Sequence, residues 1–200
     1  MAPRPDVSEM RKEQILQAAE AIFIQKGFGN ARMEDIAKET GLSKGTLYLY
    51  FKSKDDVIIA ILGRIFQRDF QDMDDLDISM MTATDAIWKF VDFATSESSA
   101  MQRLMPVTYE FLALATRDSI VRGALQQYFR HYLEILLPIV EYGIQTGEFR
   151  SVNAEEVVIA IGAIFEGVIL LWAYDKSTIK PDQHLHSSIQ LLLDGIRMSS

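Results

Sequence analysis

Apolar residues return every three or four positions along most of this 200-residue chain. That periodicity decides the fold class before any motif is read. Ile15, Ala19, Ile22 and Phe23 make the first such face, and Leu185, Ile189, Leu192, Leu193 and Ile196 make the last. Alternating β-branched runs and hairpins of the Asn-Gly or Asp-Gly kind are missing. An all-α fold of about nine helices is therefore expected, its apolar fraction of 48% ample for a real core. Beyond the first four helices, further ones are expected near 82–97, 99–116, 118–145, 153–174 and 182–197. Pro106 and Pro138 fall inside these patterns and predict kinks, because proline removes a helix donor.

Charge divides the chain. Residues 1–54 carry 9 Lys+Arg against 7 Asp+Glu, a balance of +2; the remainder carries 11 against 21, a balance of −10. Such asymmetry suits one surface made for an anion and a body that is not. With 0 Cys, disulfides, thiolate metal sites and cysteine nucleophiles are excluded. The N-terminus has no apolar signal region, and a cytoplasmic protein is expected. Val157 to Tyr174 carries Glu166 as its only charge and sits at the length threshold for a membrane span. A central carboxylate is costly in lipid, so a helix buried in a helical protein or its dimer is the preferred reading, with no membrane partner.

The most specific spacing lies between Ile36 and Phe51. Ile36 and Ala37 lie on one short helix around Met33–Thr40, Gly41 breaks it, Ser43 caps the next, and Leu42, Leu47 and Phe51 point inward. That is helix-turn-helix spacing. Lys44 and Thr46 then stand near the second helix's N-terminus, where side chains reach base edges. Gly45 permits close backbone approach, and Leu49 can meet a thymine methyl. Tyr48, Tyr50, Lys52 and Lys54 suit phosphate oxygens.

Residues 11–62 resemble the DNA-binding domain of the TetR family of bacterial transcriptional regulators. The resemblance rests on Ile15, Ala18-Ala19, Phe23, Lys26-Gly27-Phe28, Met33, Ile36-Ala37, the run from Gly41 to Phe51, and Lys54. The family usually places Thr or Ser where this chain has Ala31 and Arg32. Asn30 is then expected to cap the second helix, with Arg32 contacting phosphate by charge. Tyr50 stands where His is common and keeps a donor. The implied DNA-contacting set is Arg32, Lys44, Gly45, Thr46, Tyr48, Leu49, Tyr50 and Lys54.

The resemblance also implies a helix-turn-helix domain over 8–68, its motif at about 32–51, followed by a helical regulatory, ligand-binding and dimerisation domain over 69–200. Within the latter, Glu110 and Glu166 interrupt apolar helices, and a carboxylate there needs a partner. Arg103, His131, a tyrosine hydroxyl or a ligand could supply it. The expected ligand site is Trp88, Met105, Tyr109, Glu110, Tyr128, Glu166 and Trp172. The expected dimer interface is Phe165, Val168, Ile189, Leu192, Leu193 and Ile196. Enzyme signatures are missing, the spacing of His184 and His186 is wrong for a metal on one helix face, and no catalytic residue, metal or cofactor is expected. The chain thus reads as a repressor that binds a palindromic double-stranded DNA operator as a homodimer and is released by a small apolar or amphipathic effector. A constitutive DNA binder without a ligand is the alternative.

Overall fold

The computed structural model describes residues 7–74, 80–96 and 109–198, with side chains described outside 65–74 and 93–96. The described residues are helical apart from turns and one isolated bridge, Phe149 to Arg197. The helices are α1 (Val7–Lys26), α2 (Met33–Thr40), α3 (Lys44–Tyr50), α4 (Lys54–Asp74) and α5 (Ala83–Ser96). They continue with α6 (109–115), α7 (Ser119–Gln145), α8 (Ala154–Tyr174) and α9 (Pro181–Ile196). Pro106 lies outside the described residues; Pro138 lies inside α7, which continues through it.

The chain forms two compact units. The first takes residues up to Gln67 together with 99–127, and the second takes 68–98 together with 128 onward. The boundary expected at 68/69 is thus crossed twice more, because the first unit's core recruits later residues. Ile15, Phe23, Ile36, Leu47 and Ile58 are sealed in it beside Phe111, Ala115 and Val121. Helices α1 to α4 enclose most of this core, and α6 with the start of α7 supplies its remaining wall.

Polar ties set the angles within this unit. Lys26 pairs with Asp35 at 2.7 Å, joining the end of α1 to the start of α2. Asp35 also accepts the Arg32 amide at 3.0 Å, closing the first turn of α2. Asn30, expected to cap α2, instead donates to the Lys26 carbonyl and finishes α1. Arg64 on α4 reaches both Glu13 and Glu20 on α1.

In the second unit α9 packs against α5 and α8. Ile87, Leu136, Val140, Phe149, Val158 and Leu193 are buried there. Asn153 caps α8, its side chain accepting the Glu155 and Glu156 amides. Glu148 accepts the Ala83 and Thr84 amides at 2.8 and 2.9 Å, capping α5 from across the unit. By length and composition α8 is able to cross a membrane. Its buried residues Val157, Val158, Ile161, Val168, Ile169 and Trp172 nevertheless fall on one side, the pattern of a helix seated in a helical fold.

Candidate nucleic-acid interface and ligand cavity

The turn between α2 and α3 begins at Gly41, whose φ of 69° is left-handed and favours glycine. The Leu42 amide then bonds back to Ala37 O at 3.0 Å, and Ser43 Oγ accepts the Thr46 amide at 3.1 Å. Leu47 is wholly buried, so the opposite face of α3 is turned out. Leu49 is 76% exposed on that face. A Cβ on Gly45 would meet only Ser43 Oγ, at 3.8 Å. The fold makes no internal demand for glycine at this exposed position.

Lys44 is exposed and rests on Glu34 at 2.5 Å, which raises the lysine pKa and lowers that of the glutamate. Arg32 is exposed at the start of α2. Lys52, also exposed, donates to Tyr48 O. Tyr48 and Tyr50 lie half against the core and half outside it, and the Thr46 hydroxyl sits 2.8 Å from Ser43 Oγ inside the cap. One expected contact is corrected. Lys54 turns its ammonium inward, donating to Phe28 O at 2.5 Å and Ala31 O at 3.0 Å, over the Phe28 ring. Burial lowers its pKa. It staples the α1–α2 turn to α4, and in this conformation its ammonium is directed at those carbonyls instead of outward.

Glu110 is corrected too. From α6 it accepts the Phe28 amide at 2.5 Å, on the same turn that Lys54 holds. The partner it needed is a backbone N–H of the first unit, and neither it nor Tyr109 belongs to the ligand cavity.

That cavity lies wholly in the second unit and encloses about 300 Å³. Phe90, Tyr128, Phe129, Tyr132 and Phe165 supply aromatic walls, with aliphatic residues between them. A Cβ at Gly162 would stand 3.3 Å from the Tyr132 hydroxyl, so glycine there lets the phenol pack close to α8. That hydroxyl donates to Val158 O at 2.8 Å, and burial pushes its pKa far up. Glu166 stands at the mouth with Ile159 and Ala163. It is exposed there, and the apolar walls beside it remove enough solvent to raise its carboxyl pKa. Of the expected ligand residues, Tyr128 and Glu166 are brought together here. Trp88 stacks on His186 at 5.2 Å and Trp172 is buried under Lys176, both away from the lining. Met105 lies outside the described residues. Phe129, Ile159, Gly162 and Ala163 were missed; the spacing 159, 162, 163, 166 on α8 is the signal that would have found three of them.

The expected dimer stripe is also corrected. Ile189, Leu193 and Ile196 are between 0 and 4% exposed, Val168 is buried as well, and Phe165 faces the cavity. Only Leu192 keeps an outward portion. The apolar surface left out consists of Leu171 and Tyr174 on α8 and Leu191 on α9, bordered by half-exposed Ala160, Ile164 and Gly167.

Comparison with known proteins bears on both units. Residues 15–61 match the bacterial regulatory proteins of the tetR family, and residues 83–195 match the BetI-type transcriptional repressor C-terminal domain. A fatty acid metabolism regulator protein of Bacillus subtilis is 27% identical over 92% of this chain and 94% of its own length. The crystal structure of FadR from Bacillus subtilis in complex with stearoyl-CoA superposes with a TM-score of 0.76 at 25% identity, covering 92% of this chain and 99% of that one. A TetR regulator from Haloarcula marismortui reaches 0.84 at 19% identity over 95% and 100% of the two chains.

Proposed function

The chain belongs to the TetR family of bacterial transcriptional regulators, and on that premise we propose that it is a ligand-released repressor acting as a homodimer on a partly palindromic operator. The observation that carries this reading is the apolar cavity of about 300 Å³ in the second unit. A constitutive DNA binder has no use for such a space, since voids weaken a core. Helix α7 supports the coupling. It gives Val121 and Leu125 to the first unit's core, and within the next two turns Tyr128, Phe129 and Tyr132 to the cavity wall.

In this reading α3 enters the major groove, with Lys44, Gly45, Thr46 and Leu49 against base edges and Arg32, Tyr48 and Tyr50 against the backbone. Lys44 leaves Glu34 to do so. The outward surface of Leu171, Leu191 and their small neighbours Ala160 and Gly167 forms the dimer interface. Two α3 helices then meet the duplex about 34–36 Å apart. A ligand in the cavity displaces α7, and with it the wall that Val121 lends to the reading unit. Each tenfold loss of operator affinity requires about 1.4 kcal/mol tighter ligand binding to the released form.

The test selects a duplex from a random pool with the full chain and follows its binding by fluorescence anisotropy, with sedimentation run in parallel. A palindromic consensus, a dimer at micromolar protein, and release by a cavity ligand are expected. A monomer, or a consensus without symmetry, would remove the homodimeric scheme.

A further inference from the structure

We propose that the cavity takes a hydrophobic organic cation, its charged nitrogen held against Glu166 and its apolar body among the rings of Phe90, Phe129, Tyr132 and Phe165. This rests on the ligand-released reading above and names its ligand class.

The charge of the lining is one-sided. Among the described residues that form the cavity there is one carboxylate and no lysine, arginine or histidine. Glu166 makes no hydrogen bond or ion pair with a described residue. The Tyr132 phenol, on the same lining, gives its proton to Val158 O instead. Glu166 is exposed at the mouth, so its carboxylate is within reach of a positive group entering from water, and the apolar walls beside it weaken its solvation on the inner side. Loss of solvent on that side raises its carboxyl pKa, the direction expected of a carboxylate beside apolar walls with no cation against it.

The walls agree with the charge. Phe90 meets Tyr132 edge to face at 5.7 Å, and Phe129 lies beside Tyr132 at 6.0 Å with the rings 23° apart. Aromatic faces carry negative charge density, and rings grouped about a carboxylate are the arrangement that recognises substituted ammonium groups. The volume is near the lower bound of about 300–1,000 Å³ for small-molecule sites. It suits an ammonium headgroup with a short alkyl or aryl body. The stearoyl-CoA bound by the Bacillus subtilis FadR is neutral at its thioester and anionic at its coenzyme A phosphates, and this lining offers no basic group to meet those.

Octyltrimethylammonium and octanoate make a matched pair of probes, alike in chain and opposite in charge. Calorimetric titration into the full-length protein should show the cation binding at least tenfold more tightly than the anion. Glu166→Gln should weaken the cation at least tenfold, and Glu166→Lys should invert the preference toward octanoate. The cation should also lower wild-type affinity for its selected operator. Preference for octanoate by the wild type, or cation affinity unchanged within twofold by Glu166→Gln, would overturn the cationic class. If octanoate binds and releases the operator, the ligand-released reading survives without it. If neither probe binds nor alters operator affinity, both fall.

Discussion

Lys54 and Glu166 are both charged groups partly withdrawn from water, and the two units treat them in opposite ways. In the first unit Lys54 finds two carbonyls, Glu110 finds an amide, and Arg64 finds two carboxylates. In the second unit Glu166 borders an apolar space with no described partner. On the proposed reading, the difference separates a part that must hold one shape from a part that must accept a guest. A reading unit whose helices drifted would lose register with base edges, so its charges are consumed in fixing angles. A sensing unit gains differential binding energy only where something is left to satisfy.

The sharpest way to break this contrast is to remove a ring from each unit. Phe111 is 1% exposed in the first unit's core, whereas Phe129 is 43% exposed at the cavity. Phe111→Ala should destabilise the protein by about 3–5 kcal/mol and abolish operator binding at 37 °C. Phe129→Ala should cost under about 1 kcal/mol, the range of a half-exposed site, and weaken cation binding instead. Urea denaturation read beside operator anisotropy checks both. Equal losses of stability would show that the cavity wall is as rigid as the reading unit's core.

A second comparison lies within the first unit, between two lysines that sequence alone treats alike. Lys54→Met removes a staple and should lower stability by about 1.5–3 kcal/mol, the scale of hydrogen bonds to a charged donor. The salt dependence of operator binding should stay unchanged. Lys44→Ala should leave the melting temperature alone and change base preference by about 1–3 kcal/mol at one position of each half-site. A salt slope reduced by about one in Lys54→Met would return that lysine to the phosphate-contacting set.

These two lysines also show what was legible in the sequence. Helix-turn-helix spacing is local: Ala37, Gly41, Ser43 and Leu47 act within one or two turns, and their roles are readable from offsets. The outward set of α3 follows from the same wheel. Lys54 was misread because its partners, Phe28 O and Ala31 O, are 26 and 23 residues away and belong to a turn, not to a pattern. Glu110 was misread for the same reason, its partner being 82 residues distant. In the second unit apolar periodicity marks which helices are buried. It does not say whether a given apolar face meets its own chain or another copy. Ile189, Leu193 and Ile196 are therefore legible as a stripe and illegible as core. Glu166 stood out because a charge in an apolar helix is visible without knowing its neighbours.

The smallest expected effect tests whether Glu166 is truly unmet in the free protein. Its carboxyl pKa is raised by loss of solvent, with Tyr128 and Tyr132 as titratable neighbours on α7. Tyr132, itself pushed upward, stays neutral over the range that matters. Between the ordinary glutamate value, about 4.3, and the raised one, the folded state holds more protons than the unfolded chain. Stability contributed by this group therefore falls as pH rises through that window, and the penalty is complete above the folded pKa. Below the ordinary value both states are protonated and the penalty vanishes. Glu166→Gln removes the charge at nearly constant shape. It should melt about 1–2 °C above wild type at pH 7.5 and level with it at pH 4, a small shift because water still reaches the mouth. Differential scanning calorimetry at both pH values decides. A variant that melts lower at pH 7.5 would mean that Glu166 already has a cationic or donor partner in the free protein, and the demand that a ligand is said to meet would be gone.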